Sequence, residues 1–295
     1  MGKVCVVGSI NMDLTIETDK MPAKGQTVLG KRFNEYPGGK GANQAVAASR
    51  LGAEVDFIGA VGKDLFGEKL KKRLHLEGIQ TKGIIETDTL ETGVANIILS
   101  QQDNRIIVAP GANNAVTPIV VKQFEEIIKN ADILLLQLEI PMESVKCAVD
   151  IAWEHQVPII LNPAPYQKLS KSMIEKITYL TPNELEAAEL EAERGVDMIN
   201  FLNKLIITEG KAGVNFSSNG EMKQVKGLSV NVKDTTGAGD TFNGALAMQL
   251  AEKKPLEEAV YFANAAAALS VTKRGAQVGM PTKQPVIDFI GKGVK

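Results

Sequence analysis

Short, dense apolar runs recur along the chain and end in glycine or polar residues, as strands buried on both faces of a parallel sheet do. Val4 to Val7 stop at Gly8, the run 133–138 stops at Glu139, and 157–161 stops at Asn162. The runs 177–180 and 205–207 stop at Thr181 and Thr208. Between them lie segments with helical apolar spacing: 64–77 with Leu65, Leu70, Leu74 and Leu76, then 117–130, 145–153 and 256–272. Pro118 sits in the first turn of its segment, where a missing N–H costs nothing. Strands alternating with helices imply an α/β fold, a mostly parallel central sheet with helices on both faces. Residues 93–100 and 105–110 read as two further strands about the turn Gln102-Asp103-Asn104, and 14–33 is too irregular for a core layer. These pieces suggest a small β-sheet outside the main one. No repeat or linker interrupts 1–295, so one α/β unit is expected.

The rest is organised around Asp234-Thr235-Thr236-Gly237-Ala238-Gly239-Asp240-Thr241-Phe242. Before it, Leu228, Val230 and Val232 alternate with polar residues as in a strand. After it, Phe242, Ala245, Leu246, Met248 and Leu250 follow a helical period. A Gly-Ala-Gly turn at a helix start lets unpaired amides and the helix dipole converge on an anion, and a phosphate suits that cradle. Asp240 is open to two readings: a plain N-cap, or a general base taking a proton from an attacking hydroxyl.

Other polar residues stand where open α/β sheets hold ligands, just past strand ends. Asn11 and Asp13 pair an amide with a carboxylate, which suits either sugar hydroxyls or an Asx-stabilised turn. Gly38-Gly39-Lys40-Gly41-Ala42-Asn43-Gln44-Ala45 opens a helix of small residues, as a ligand approach or as a flexible capped turn. Glu139 either caps the next helix or faces the ligand. Thr181-Pro182-Asn183-Glu184-Leu185-Glu186 is a rigid turn into an acidic helix whose acids could simply be solvated. Gly8-Ser9-Ile10-Asn11-Met12-Asp13 lacks the Gly-x-Gly-x-x-Gly of a dinucleotide fold, which counts against a dehydrogenase. His75 reads as structural or surface, and His155 as a residue near a helix C-terminus.

Composition narrows the partners. Apolar residues make up 44% and charged residues 23%, ordinary for a globular protein. With 33 basic and 35 acidic residues the formal charge is −2, which gives no field to hold a nucleic acid. No run approaches the roughly 20 apolar residues of a membrane span. Cys5 and Cys147 read as buried thiols without metal-ligand spacing, and the N-terminus lacks signal-peptide features, so a cytoplasmic protein is expected.

Taken together, the 234–242 stretch, the glycine-rich 38–45 stretch and the 8–13 stretch resemble the signatures of the ribokinase-like (PfkB) family of sugar and nucleoside kinases. The resemblance covers nearly the whole chain. It implies ATP-dependent phosphorylation of D-ribose at O5, with Asp240 as base and Gly237, Ala238 and Gly239 completing an anion hole. It assigns the sugar to Asn11, Met12, Asp13, Gly39, Lys40, Gly41, Ala42, Asn43 and Glu139. The nucleotide falls to Asn183, Thr208, Glu209, Gly210, Lys211, Ala212, Gly213, Gly239 and Asn264. Mg²⁺ is implied through water at Glu186, and K⁺ in a carbonyl cage of Asp234, Thr236, Ser270, Lys273, Gly275 and Gly279. Lys273, with Arg274, also reads blandly as helix C-terminal charge. A lid from about 12–37 and 92–110 would cover the sugar and pair with its twin in a homodimer. The sequence departs from the family pattern at Glu209, where an apolar residue is usual, and in a shortened 187–204 segment. Another acceptor, such as deoxyribose or a nucleoside, keeps the same chemistry, and a sugar-binding regulatory protein keeps only the fold.

Overall fold

The computed structural model describes residues 1–100, 103–192, 201–218 and 220–292. A parallel sheet runs in the order β10 (Tyr179–Leu180), β9 (Ile159–Leu161), β8 (Ile133–Leu136), β1 (Lys3–Val7), β4 (Glu54–Gly62), β5 (Gln80–Thr87). Strand order reverses about β1 and β8, so the loops after these two neighbours diverge and leave a crevice at their carboxyl ends. Alternation along each strand feeds two separate cores. Val4, Val6, Ile133 and Leu135 pack with α1 (Lys40–Arg50), α2 (Leu65–Leu76), α8 (Ala238–Ala251) and α9 (Leu256–Ser270). Cys5, Val7, Leu134 and Leu136 pack on the other face with α3 (Pro118–Gln123), α4 (Glu125–Lys129), α5 (Met142–Glu154) and α6 (Lys171–Lys176).

A second sheet, β3 (Arg32–Gly38), β2 (Asn11–Glu17), β6 (Gly93–Ser100), β7 (Asp103–Ala109), stands apart from the first. β2 runs parallel to β6 and antiparallel to β3, and pairs Asn11 with Gly38 and Gly93 where this sheet leaves the crevice. A third sheet, β11 (Ile206–Thr208), β12 (Gly213–Ser218), β13 (Glu221–Lys226), extends the main one through bridges from Leu180 to Leu205 and from Asn183 to Thr208. The smaller helices are α7 (Glu184–Ala192), α10 (Ala276–Gly279) and α11 (Lys283–Lys292).

Several expectations change. The alternation at 228–232 forms no strand: its polar side is exposed, Leu228 rests on the core, and the chain then bonds to the end of α9 through Lys233 and Asp234 N–H to Val271 O. The 117–130 helix is broken at Phe124 (φ −110°, ψ 21°), whose half-buried ring packs into the second core. Asp103, read as a turn residue, already belongs to β7, and Cys147 is only half-buried. Of the shortened 187–204 segment, residues 193–200 lie outside the described residues.

Candidate active site

The carboxyl ends of the parallel strands deliver a ring of polar groups to the crevice. Ser9 follows β1, Gln137 and Glu139 follow β8, Asn162 follows β9, and Thr181 and Asn183 follow β10. The N-termini of α1 and α8 close the ring. A cleft of about 220 Å³ is lined by Lys40, Asn183, Glu186, Thr208, Gly237, Ala238, Gly239 and Asp240, with Asn162, Ala164, Thr181, Thr235 and Asn243.

Asp240 lies in the first turn of α8 and is buried. Its Oδ2 accepts from Asn43 Nδ2 at 3.0 Å and its Oδ1 from Gln44 Nε2 at 3.1 Å. It therefore does not cap its helix; that place falls to Gly237, in the left-handed region at φ 78°. Here a Cβ would also lie 2.8 Å from the Ala276 methyl. Gly239 is different: a Cβ there meets nothing within 4 Å. Ala238 N–H turns back to Thr235 O, while the first-turn amides of Gly239 and Asp240 lack an i−4 partner inside the helix. This turn presents donors and empty space to the cleft, as an anion site requires.

The glycine-rich turn before α1 is used in another way. Lys40 N–H donates to Glu139 Oε2 at 3.0 Å, Gly41 N–H to Ser9 Oγ at 3.2 Å, and Ala42 N–H to Ser9 O at 2.9 Å. Ser9 Oγ itself donates to Glu139 Oε2 at 2.5 Å. Gly39 (φ 86°) and Gly41 press against the 8–11 backbone, so a Cβ at either would lie within 2.7 Å of it. The two turns are therefore not equivalent: this N-terminus already holds a carboxylate.

Asn11 and Asp13 share one face of β2, and Met12 points the opposite way into the core. Asn11 Oδ1 accepts from Asn113 Nδ2 at 2.7 Å, and Asn113 Oδ1 accepts from Ile10 N–H, so Asn113 orients Asn11. Burial, then the charges of Glu139 and Asp240, push the Asp13 carboxyl up to about 7. Lys40 faces the same group. Burial pulls its ammonium down, but Asp240, Glu139 and Glu186 together hold it above the ordinary lysine value.

On the far side, Asn183 and Glu186 form a reciprocal capping box at α7: Asn183 N–H to Glu186 Oε2 and Glu186 N–H to Asn183 Oδ1, each 2.9 Å. The Asn-x-x-Glu spacing is itself the sequence signal for that cap. Glu186 still borders the cleft, where burial pushes its carboxyl up against the pull of the Asn183 amide and Lys40. Thr208 lines the cleft beside Asn183, whereas Lys211 and Ala212 are exposed. A Cβ on Gly210 (φ 51°) meets nothing within 4 Å. Glu209 is bound by Asn215 Nδ2 at 2.6 Å, which gives this unexpected acid a partner on β12. Gly213 is required by packing, since a Cβ would lie 2.0 Å from Val225 O. Asn264 donates to Lys226 O at 2.9 Å, tying α9 to β13.

Asp234 organises the loop behind α8, with Oδ1 accepting from Thr236 N–H and Oγ1 and Oδ2 from Gly275 N–H at 2.8 Å. Burial raises its carboxyl, but these bonds and Arg274 hold it below the usual range. Gly279 comes so close to Ser270 O that a Cβ would lie 2.2 Å away, so peptide carbonyls crowd this turn. Arg50 pins α10 by donating to Gln277 O and Met280 O while pairing with Glu77. Among the described residues no three His, Cys, Asp or Glu side chains could jointly hold a metal ion.

Sequence reasoning missed the amides beneath the site. Gln44 Nε2 also donates to Asn162 Oδ1 at 3.1 Å, and Gln137 Nε2 donates to Gln44 Oε1 at 2.7 Å. Gln277 Nε2 donates to Asn43 Oδ1 at 3.0 Å. Asn162 Nδ2 donates to Thr181 O, Thr181 Oγ1 to Asn243 Oδ1 and Asn243 Nδ2 to Gly239 O. The available signal was a polar residue in an apolar setting: Gln137 inside the run 133–138, Gln44 among alanines.

A model for pfkB family carbohydrate kinases matches residues 1–283. Ribokinase of Bacillus subtilis (strain 168) is 46% identical over 292 residues, 98% of this chain and 100% of that protein. The crystal structure of a ribokinase from Thermotoga maritima matches with a TM-score of 0.90 at 34% identity, over 99% of this chain and 100% of that one. The structure of Arabidopsis thaliana ribokinase complexed with ribose and ATP matches with a TM-score of 0.90 at 31% identity, over 98% of this chain and 99% of that one.

Two stability measurements check this geometry. Gly237→Ala should cost about 1–3 kcal/mol in urea unfolding, while Gly239→Ala should be neutral or stabilise by up to about 1 kcal/mol. Equal losses would mean that Gly239 serves packing. The raised Asp13 carboxyl is a linkage statement: the folded protein takes a proton below about 7 that the unfolded chain takes only near 3.8. Its contribution is full below the lower value and lost as pH rises through the upper one. Asp13→Asn should therefore gain stability relative to the parent between pH 5 and pH 8; parallel curves would refute the shift.

Proposed function

The chain belongs to the pfkB family of carbohydrate kinases, and we propose that it transfers the γ-phosphoryl group of ATP to O5 of D-ribose with Asp240 as general base. One observation carries this: Asp240 is a buried carboxylate fixed on both oxygens, in the same helical turn as the unpartnered amides of Gly239 and Asp240. Proton acceptor and anion donors thus meet at one point of the cleft.

Ribose lies over α1 and β2, its hydroxyls shared among Asn11, Asp13, Asn43, Glu139 and the Lys40 ammonium. Its 5-hydroxyl faces Asp240, which takes the proton as that oxygen attacks the γ-phosphorus and ADP leaves. The amides at 239 and 240 receive the charge that builds on the transferring group. Thr208, Asn183 and the open turn at Gly210 border the nucleotide. Glu186, half of whose carboxylate is committed to the cap, would hold Mg²⁺ through water, and the ion would supply neutralisation of phosphate charge. The carbonyls around Asp234, Ser270, Gly275 and Gly279 would hold K⁺, which would supply fixed positive charge behind α8. The free Cys5 and Cys147 suit a reducing cytoplasm.

The β3-β2-β6-β7 sheet acts as a lid within a single 1–295 unit, and it also carries the dimer. Ile106, Ile107 and Val108 are consecutive exposed apolar residues on its edge strand, with Phe33, Ile16 and Leu99 exposed nearby. An uncovered edge of this kind invites pairing with another sheet. A second copy of the same sheet is the occupant that satisfies both edge and apolar surface.

Two experiments test this. ADP release from ATP with Mg²⁺ and K⁺ should depend on D-ribose, with 2-deoxyribose and nucleosides as competing acceptors. Asp240→Asn should lower kcat by about 10²–10⁴-fold while ribose affinity stays within a few-fold; unchanged turnover would remove Asp240 from the mechanism. Sedimentation should give twice the chain mass, and Ile107→Lys should give one chain mass; a monomeric parent would sink the lid interface.

A further inference from the structure

Two chains of neutral amides converge on the two oxygens of Asp240. One runs from Gln277 through Asn43 to Oδ2, with links of 3.0 and 3.0 Å. The other runs from Gln137 through Gln44 to Oδ1, with links of 2.7 and 3.1 Å. All four amides are buried, and Gln44 and Gln137 are sealed completely, outside the residues that line the cleft. The outer glutamines fix the direction of each chain. Gln137 and Gln277 donate inward, so the inner amides must accept with oxygen and give Asp240 their N–H groups. Each outer Oε1 is left buried without a partner. A polar atom left unsatisfied costs about 1–3 kcal/mol, so folding alone gives no reason to keep glutamine there.

We propose that Gln44, oriented by Gln137, is a positioning residue that holds the Asp240 carboxylate ionised and aimed at the attacking hydroxyl. The proposal rests on the reading of Asp240 as base. An amide neither accepts nor releases a proton near neutrality, so the chain fixes the base without draining it. The proton taken from the hydroxyl stays on Asp240 until it leaves through the cleft. Each carboxylate oxygen spends one lone pair on its amide and keeps another for substrate. Three charged groups also face Asp240: Asp13 on β2, Lys40 on α1 and Glu186 on α7. Two of these are acids, and against them stand two amide donors, one on each carboxylate oxygen.

The test measures kcat and KM for ribose from pH 5.5 to 9 in the parent, Gln44→Glu, Gln137→Met and Asp240→Asn. Gln44→Glu sets a carboxylate against Oδ1. It should move the acid limb of kcat up by one pH unit or more, costing at least tenfold at pH 6 with much of the loss recovered at pH 9. Gln137→Met removes the orienting bond and one unpaired oxygen, and leaves Gln44 Oε1 unpaired in its place. It should lower kcat about three- to tenfold at ribose KM within twofold, with little change in thermal stability because one orphaned oxygen replaces another. A folded Gln44→Glu protein with the parent's acid limb overturns the proposal. So does a Gln137→Met protein with the parent's kcat, and this variant decides the matter if Gln44→Glu fails to fold. Full turnover by Asp240→Asn would overturn the base reading and the proposal with it. Loss of turnover there beside unmoved Gln44 and Gln137 variants would overturn the proposal alone.

Discussion

The pair of amide bonds on the Asp240 carboxylate constrains more of the molecule than any other contact. A carboxylate withdrawn from water must recover its hydration from fixed donors. Here the donors are adjacent residues of one helix, Asn43 and Gln44, which project about 100° apart. Both can reach one carboxylate only if the first turn of α8 lies directly on α1. Small residues allow that approach. Ala45, Ala47 and Ala48 line α1, and a Cβ on Gly244 of α8 would lie 2.4 Å from the Gln44 carbonyl oxygen. The alanine-rich stretch after the glycine turn is thus packing in the service of a polar contact.

Charge separates the two halves of the cleft. Asp13, Glu139, Asp240 and Glu186 bring four carboxylates to a site whose nearest ammonium is Lys40. A neutral polyol, which needs acceptors for its hydroxyls, suits the side with Asp13 and Glu139. A phosphate does not, and needs the donors of α8 together with cations. On the proposed reading Asp240 would belong to both halves, its side chain serving the hydroxyl and its backbone N–H the phosphate.

Much of this was legible in the chain. The β-branched and leucine runs gave the parallel strands because burial on both faces leaves no polar position, and the 234–242 turn stood out through its glycines. What failed did so for physical reasons. The alternation at 228–232 looked like a strand, but alternation reports one buried face and says nothing of a ladder partner. Phe124 broke a helix because a tertiary pocket outweighed local propensity. The Asn183–Glu186 pair, read for metal or solvent, also caps its helix, a second role that its spacing encodes and that leaves Glu186 on the cleft. Asn113, Gln137, Asn162 and Gln277 come from four distant segments, and only the fold shows that their amides face one another.

The two glycine-rich turns show why a motif must be read by what its amides already hold. Both precede helices, and both offer the same donors in principle. Before α1 those donors are consumed by Ser9 and Glu139, because the turn abuts the loops of the two strands where the sheet order reverses. A bound carboxylate there repels any second anion. Before α8 the corresponding amides face open space, and Gly239 leaves unfilled the volume that a side chain would occupy. On the proposed reading, phosphate would be excluded from one helix start and admitted at the other, leaving to the polyol the side that phosphate cannot take. The proposed direction of transfer across the cleft would then follow from which turn the protein has saturated with its own groups.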